Sequence, residues 1–155
     1  MAGAPTEGTK APDFSLPTDG GGQVSLADFK GKTLVLYFYP KDDTSGCTKE
    51  AQAFEALSKA FTKAGAQILG VSKDTVARHE RFKEKYGLTF PLGSDDSGVT
   101  ERYGVWVEKS MYGRKYMGID RSTFLIDGAG KVRRVWRKVK VPGHAEDVLE
   151  AVKAL

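Results

Sequence analysis

The chain has very little cysteine: its 155 residues include only one, Cys47. A single thiol cannot form an intramolecular disulfide, and it excludes a zinc site built from several cysteines. The longest wholly apolar or aromatic run, residues 34–39, is far shorter than the roughly 20 residues that span a bilayer. Residues 1–12 lack the charged start and apolar stretch of a secretory signal. We therefore expect a cytoplasmic protein with no membrane partner.

Composition and charge exclude several further classes of protein. Hydrophobic residues make up 40% and charged residues 28% of the chain, which is typical of globular proteins and not of disordered or collagen-like ones. The net charge of +4 favours solubility without requiring a nucleic-acid partner. Basic residues surround Trp136, but they fall on both faces of a predicted strand, so we expect no nucleic-acid binding. The length predicts one domain over residues 1–155.

Apolar patterning predicts strands in four regions. A glycine run at residues 20–22 indicates a turn between two short N-terminal strands. The continuous apolar stretches 33–39 and 68–71 are typical of strands that are covered on both faces. Residues 122–126 and 132–136, separated by a glycine-rich turn, predict a second hairpin.

Apolar residues three and four positions apart predict the helices. One helix is expected over residues 47–64, capped by Ser45 or Gly46, and another over 74–86, capped by Asp74. A last helix follows at the C-terminus. The intervening residues 88–121 show little regularity beyond one short helical stretch.

The order of these elements predicts a fold. A strand, helix and strand form a parallel pair with a right-handed crossover, and the hairpin and last helix complete a mixed sheet between helices. We therefore predict an α/β, thioredoxin-like fold with an N-terminal β-hairpin. Ligands of such sheets bind beyond the carboxyl ends of the parallel strands. The segment 40–47 lies there, and it carries Cys47.

Cys47 has the setting of a reactive thiol, and an inert buried thiol is the alternative. Only the thiolate is a strong nucleophile, and ionising an ordinary free thiol fully at pH 7 requires about 3.4 kcal/mol. A helix start contributes at most about 2 kcal/mol. An arginine at about 4 Å adds up to about 4 kcal/mol at an effective dielectric of about 20. Arg121, at the start of a strand expected beside 33–39, is favoured over Arg114 as the cation that stabilises the Cys47 thiolate. Asp42 and Asp43 would oppose ionisation, so we expect their side chains to point away from the sulfur.

Residues 40–47, Pro-Lys-Asp-Asp-Thr-Ser-Gly-Cys, resemble the Pro-x-x-x-Thr-x-x-Cys active site of the peroxiredoxins. Together with 38–50, the blocks 121–127 and 136–139 are similar to the bacterioferritin comigratory protein (BCP or PrxQ) subgroup. The resemblance covers nearly the whole chain. It implies a thiol peroxidase that needs no cofactor and no metal.

The resemblance also implies roles for four residues. Cys47 attacks the O–O bond of hydrogen peroxide or a small alkyl hydroperoxide and becomes a sulfenic acid. The Thr44 hydroxyl bonds the thiolate and the incoming peroxide, and Pro40 shields the sulfur from water. Arg121 holds the thiolate and stabilises the charge that develops as the bond breaks.

The chain departs from many relatives at two points. Ser45 stands where they have proline, and it can cap the helix instead. A resolving cysteine, five residues after the first in many relatives, is replaced here by Gln52, and Lys83 stands near the place that others use. The sequence therefore predicts a one-Cys variant that depends on an external thiol, namely thioredoxin, glutaredoxin or glutathione. We expect a monomer, with a dimer through 40–46 or 88–120 as the alternative.

Two other functions compete with this interpretation. The first is a redox sensor or interaction protein in which oxidised Cys47 signals to a partner. The second is a Cys–His hydrolase, which needs His79 or His144 beside the thiol. Both histidines are expected to be structural, because neither segment is predicted near residues 40–47. A further set of side chains either lines the peroxide pocket or forms a docking surface, with at least half expected in the core: Trp106, Met111, Tyr112 and Met117.

Overall fold

A computed structural model describes residues 4–155, which form a five-stranded mixed sheet, two separate hairpins and five α-helices. The strands are β1 (Ser15–Pro17), β2 (Gln23–Ser25), β3 (Thr33–Phe38), β4 (Ala66–Ser72), β5 (Leu92–Ser94), β6 (Trp106–Met111), β7 (Arg114–Ile119), β8 (Ser122–Ile126) and β9 (Val132–Trp136). The helices are α1 (Ser45–Ala56), α2 (Ser58–Lys63), α3 (Val76–Tyr86), α4 (Val99–Arg102) and α5 (His144–Lys153).

The central sheet has the strand order β5-β4-β3-β8-β9. Strands β3, β4 and β5 run parallel, and β8 and β9 form an antiparallel extension beside β3. This arrangement, with an N-terminal β1–β2 hairpin, confirms the predicted thioredoxin-like fold. No helix in residues 4–155 is long and apolar enough to cross a membrane.

Strand β3 explains why the sheet is buried on both faces. Its alternate side chains Val35 and Tyr37 belong to one apolar cluster, which includes residues from α1, α2, α3 and α5. Leu34, Leu36 and Phe38 belong to a second cluster on the opposite face. A strand that is covered twice must be continuously apolar, as the sequence of this strand is.

The helices begin and end differently from the prediction. The expected single helix over 47–64 is broken at Leu57, whose N–H bonds the Phe54 carbonyl and interrupts the regular ladder. Its N-cap is Thr44, not Ser45 or Gly46. For α3 the cap is Thr75, whose side chain accepts from the Arg78 N–H, because the Asp74 carboxylate is engaged by other groups.

The hairpin β6–β7 was not predicted. Its strands leave most side chains exposed, so the sequence shows no alternation between apolar and polar residues. We expected at least half of a set of four side chains to lie in the core, and this expectation was wrong. The set is Trp106, Met111, Tyr112 and Met117. Met111, Tyr112 and Met117 are exposed, and Trp106 is only partly buried.

Candidate active site

Cys47 lies at the carboxyl end of β3, where the fold predicts a ligand site. It is the third residue of α1 and follows the 40–44 loop that leaves β3. Only 2% of the residue is exposed. The sulfur is therefore next to the unpaired N–H groups of a helix start, while most of its surroundings are protein.

Arg121 reaches the sulfur from the neighbouring strand. The register of β3 and β8 pairs Phe38 with Ser122, so Arg121 lies beside the point where the chain leaves β3. Its Nη2 donates to the Cys47 Sγ across 3.3 Å. A Cβ at Gly46 would lie 3.2 Å from the same Nη2, so the glycine leaves room for the guanidinium. The predicted proximity of Arg121 and Cys47 is observed.

Glu50 is a site residue that the sequence reasoning missed. Its Oε1 accepts from Arg121 Nη1 at 2.6 Å, and its side chain is only 2% exposed. Burial raises the pKa of Glu50 to about 7, and the nearby Arg121 charge opposes this rise. Glu50 follows Cys47 by three residues, a spacing that places two side chains on one helix face. That spacing was the signal available in the sequence.

The site therefore contains two acidic groups around one cation. Arg121 bridges the thiol and the carboxyl group through separate nitrogens of one guanidinium. The Glu50 Oε2 is buried and has no hydrogen-bond partner among the described residues. Burial disfavours two negative charges beside one positive charge, so a thiolate at Cys47 is best accommodated when Glu50 is protonated.

The raised pKa of Glu50 predicts a pH-dependent stability. The folded state binds this proton more tightly than the unfolded chain, so the free energy of unfolding falls as pH rises from about 4.5 to about 7. The loss from this group is up to about 3 kcal/mol. The free energy of unfolding of Glu50→Gln, measured with urea at both ends of this pH range, should not show this loss.

The control for this measurement is Glu84→Gln, at an exposed position on α3. That variant should keep the pH dependence of the parent protein. The raised pKa of Glu50 would be contradicted by two results together. The stability of the parent protein would be unchanged or would rise across this pH range, and Glu50→Gln would show the same pH dependence.

Thr44 and Pro40 belong to the loop before Cys47, and neither hydrogen-bonds the sulfur in the part of the chain that the structure describes. The Thr44 hydroxyl donates to the Lys41 carbonyl at 2.9 Å. Both Thr44 and Pro40 are exposed, whereas the thiol is buried.

The two aspartates of the loop point away from Cys47, as predicted. Asp43 accepts hydrogen bonds from Lys85 and Tyr86 of α3. Asp42 accepts from Tyr39 and contacts the ring of His79. Their negative charges are therefore neutralised or bonded by groups outside the sulfur site.

The histidines do not form a Cys–His pair in residues 4–155. His144 bonds Thr123, and burial lowers the pKa of His144 to about 4. His79 was not expected near the loop, and this expectation was wrong: α3 packs so that its ring meets Asp42. The Cys47 sulfur instead accepts a hydrogen bond from Arg121. The arrangement suits a thiolate and a developing oxyanion better than acyl transfer through a histidine base.

Comparison with known proteins agrees with this chemistry. The family model described as "AhpC/TSA family" matches residues 8–135. The chain is 52% identical over 143 residues to the peroxiredoxin Bcp of Xanthomonas campestris, covering 92% of this chain and 89% of that protein. It is 49% identical over 147 residues to the peroxiredoxin Bcp of Bacillus subtilis, covering 94% of each.

Solved structures give the same result. Peroxiredoxin Q of X. campestris superposes with a TM-score of 0.87 at 51% identity, covering 91% of this chain and 90% of that one. The bacterioferritin comigratory protein of X. campestris, described with its alkyl peroxide reduction activity, superposes with a TM-score of 0.90 at 48% identity. That match covers 96% of this chain and 98% of the other.

Proposed function

We propose a role for each residue of the site from one premise: the chain belongs to the AhpC/TSA family and is a thiol-dependent peroxidase, a peroxiredoxin of the Bcp/PrxQ type with a single cysteine. The redox-sensor alternative is not favoured by these relatives. What the premise leaves open is which groups act on the peroxide and which thiol restores the enzyme.

Cys47 is the proposed nucleophile, and one observation carries this proposal: Arg121 donates to its sulfur at the start of a helix. The thiolate attacks one peroxide oxygen, an S–O bond forms and the O–O bond breaks. Sulfur loses two electrons and becomes a sulfenic acid, while the leaving oxygen takes a proton and departs as water or an alcohol. Arg121 stabilises the thiolate first and the developing oxyanion afterwards.

Thr44 and Pro40 are proposed to shape the approach of the peroxide. Both residues are exposed and belong to the loop that leads to the buried sulfur, which supports this proposal. A rotation of the Thr44 hydroxyl away from the Lys41 carbonyl allows it to bond the incoming peroxide. Pro40 offers no N–H and covers the sulfur with an apolar ring. Hydrogen peroxide and small alkyl hydroperoxides are the proposed substrates.

An external thiol is proposed to complete the cycle. The thiol attacks the sulfenic sulfur, water leaves, and a second thiol reduces the mixed disulfide. Thioredoxin, glutaredoxin and glutathione are the candidate reductants. They operate in the cytoplasm, where we place this enzyme as a single-domain monomer. Neither nucleic acid nor a membrane takes part in this cycle.

The reductant assay tests this function directly. Peroxide consumption is measured with thioredoxin, with glutaredoxin and glutathione, or with dithiothreitol, each supplied separately. At least one of them should support many turnovers per enzyme molecule. A single oxidation of Cys47 without turnover under all three conditions would support the sensor function instead.

A cysteine introduced at position 52 should allow the enzyme to resolve its own sulfenic acid by forming an intramolecular disulfide with Cys47. Residues 47 and 52 both lie in α1, about 7.5 Å apart along its axis and about 140° apart around it. A disulfide requires Cα atoms within about 7 Å and facing side chains, so the first turns of α1 must unwind. After one equivalent of peroxide, Gln52→Cys should lose two hydrogens by intact mass and resist excess peroxide better than the parent.

The matched control is Gln67→Cys on β4, which adds an exposed thiol in a different element. It should not form this intramolecular bond. A parent protein that accumulates mainly as a Cys47–Cys47 dimer would contradict resolution by an external thiol.

A further inference from the structure

A buried histidine lies behind the 40–44 loop, and the peroxidase mechanism above does not use it. His79 is the fourth residue of α3 and is fully buried. Its Nδ1 lies 2.6 Å from Asp42 Oδ2, and its Nε2 lies 3.1 Å from the Gly93 carbonyl of β5. The Gly93 carbonyl can only accept, so Nε2 is the donor in that bond, and Nδ1 shares one proton with the Asp42 carboxyl group in the other. The ring is therefore held from two sides, by the 40–44 loop and by β5.

Asp42 joins this pair to the loop. Its side chain is only 2% exposed, and its second carboxylate oxygen accepts from the Tyr39 hydroxyl at 2.5 Å. Its backbone N–H donates to Asp74 Oδ2 at 2.8 Å. Both the side chain and the backbone of Asp42 are therefore fixed to groups outside the loop, midway between the end of β3 and the start of α1.

The three groups Asp42, Asp74 and His79 do not point to a metal ion. Their ligand atoms lie within 4.8 Å of one another. However, Asp74 already accepts from Ser72 and Arg78 as well as from the Asp42 N–H. Since the carboxylates and the ring are satisfied by protein partners, the cluster needs no cation to complete it.

Protein groups from three parts of the fold also face the ring of His79. Asp42 faces it from the loop and Tyr39 from the end of β3, whereas the Gly93 carbonyl faces it from β5. Asp74, which precedes the Thr75 cap of α3, is paired with Arg78 of the helix. Both ring nitrogens of His79 therefore have protein partners and need no ion.

We propose that Asp42 and His79 form one positioning unit that holds the 40–44 loop, and with it Thr44 and the start of α1, in the geometry that peroxide reduction requires. The inference rests on the peroxidase function proposed above. In residues 4–155 neither side chain hydrogen-bonds the sulfur, so neither is a catalytic residue. Their effect comes through geometry, since a displacement of about 1 Å costs on the order of a hundredfold in rate.

Two rates distinguish positioning from a general structural role. The first is oxidation of Cys47 by hydrogen peroxide, and the second is its alkylation by iodoacetamide, which does not need donors arranged around a peroxide. Asp42→Asn and His79→Gln should each slow oxidation by about tenfold or more, with alkylation within about threefold of the parent. Because the two residues act together, the double variant should be no more than about threefold slower than the slower single variant.

The control is His144→Gln, since His144 is the other buried histidine and bonds Thr123 rather than the loop. It should leave the ratio of the two rates unchanged. The unit is disproved if the losses in the single variants multiply in the double variant, if oxidation and alkylation change in parallel, or if oxidation is unaffected. A parent protein that fails to reduce peroxide at all would instead overturn the proposed function.

A milder variant keeps the test valid if the others do not fold. Tyr39→Phe removes only the hydroxyl that donates to Asp42. It should slow oxidation by about threefold and leave alkylation unchanged. An unchanged oxidation rate in this folded variant would also overturn the proposal.

Discussion

Cys47→Ser should reduce peroxide at less than about one-thousandth of the parent rate, because a hydroxyl is a far weaker nucleophile than a thiolate. The variant should keep its fold, since serine has nearly the same shape and Arg121 can bond its oxygen as it bonds the sulfur. The measurement is peroxide consumption with dithiothreitol, together with circular dichroism to confirm the fold.

This substitution is unusually clean in this chain. Cys47 is its only cysteine, so no second thiol can take over the reaction. A residual rate of peroxide reduction within tenfold of the parent rate would contradict the assignment of Cys47 as the nucleophile.

Arg121→Ala should slow the oxidation of Cys47 by about a hundredfold to a thousandfold, the usual cost of losing one donor to a developing oxyanion. It removes the hydrogen bond to the sulfur and also leaves Glu50 buried without its partner. The thiolate fraction at neutral pH, followed by ultraviolet absorbance, should fall at the same time. Stopped-flow oxidation by hydrogen peroxide measures the rate.

Two companion variants make the Arg121 result specific. Arg121→Lys keeps the charge but loses the fork that reaches Cys47 and Glu50 together, so its rate should lie between those of the parent and the alanine variant. Arg114→Ala, at an exposed position on β7, should behave as the parent. A normal oxidation rate in Arg121→Ala would mean that another cation supports the thiolate.

The position of Arg121 shows what topology alone can predict. Strand order and direction were enough to place the residue before β8 beside the carboxyl end of β3, and the structure gives that register. The apolar pattern of β3 likewise predicted a strand with both faces covered. Such features follow from the periodicity of apolar residues and from the rules for connecting neighbouring strands, and both can be applied to the sequence alone.

The features that were missed depend on how the elements pack. Glu50 and His79 are polar residues on helices, and the sequence does not show which polar positions a neighbouring strand or loop will cover. The β6–β7 hairpin lies largely outside the core, so burial left no pattern in it. Its one local signal was Tyr112-Gly113, where both residues have the positive φ of a tight hairpin turn.

Oxidation of Cys47 to a sulfenic acid is tested most directly by the intact mass of the protein after one equivalent of hydrogen peroxide without any thiol. The protein should gain one oxygen atom, confined to the peptide that contains Cys47, and should return to the starting mass when dithiothreitol is added. Protein that remains unmodified while the peroxide persists would contradict the assignment of Cys47 as the group that reduces peroxide.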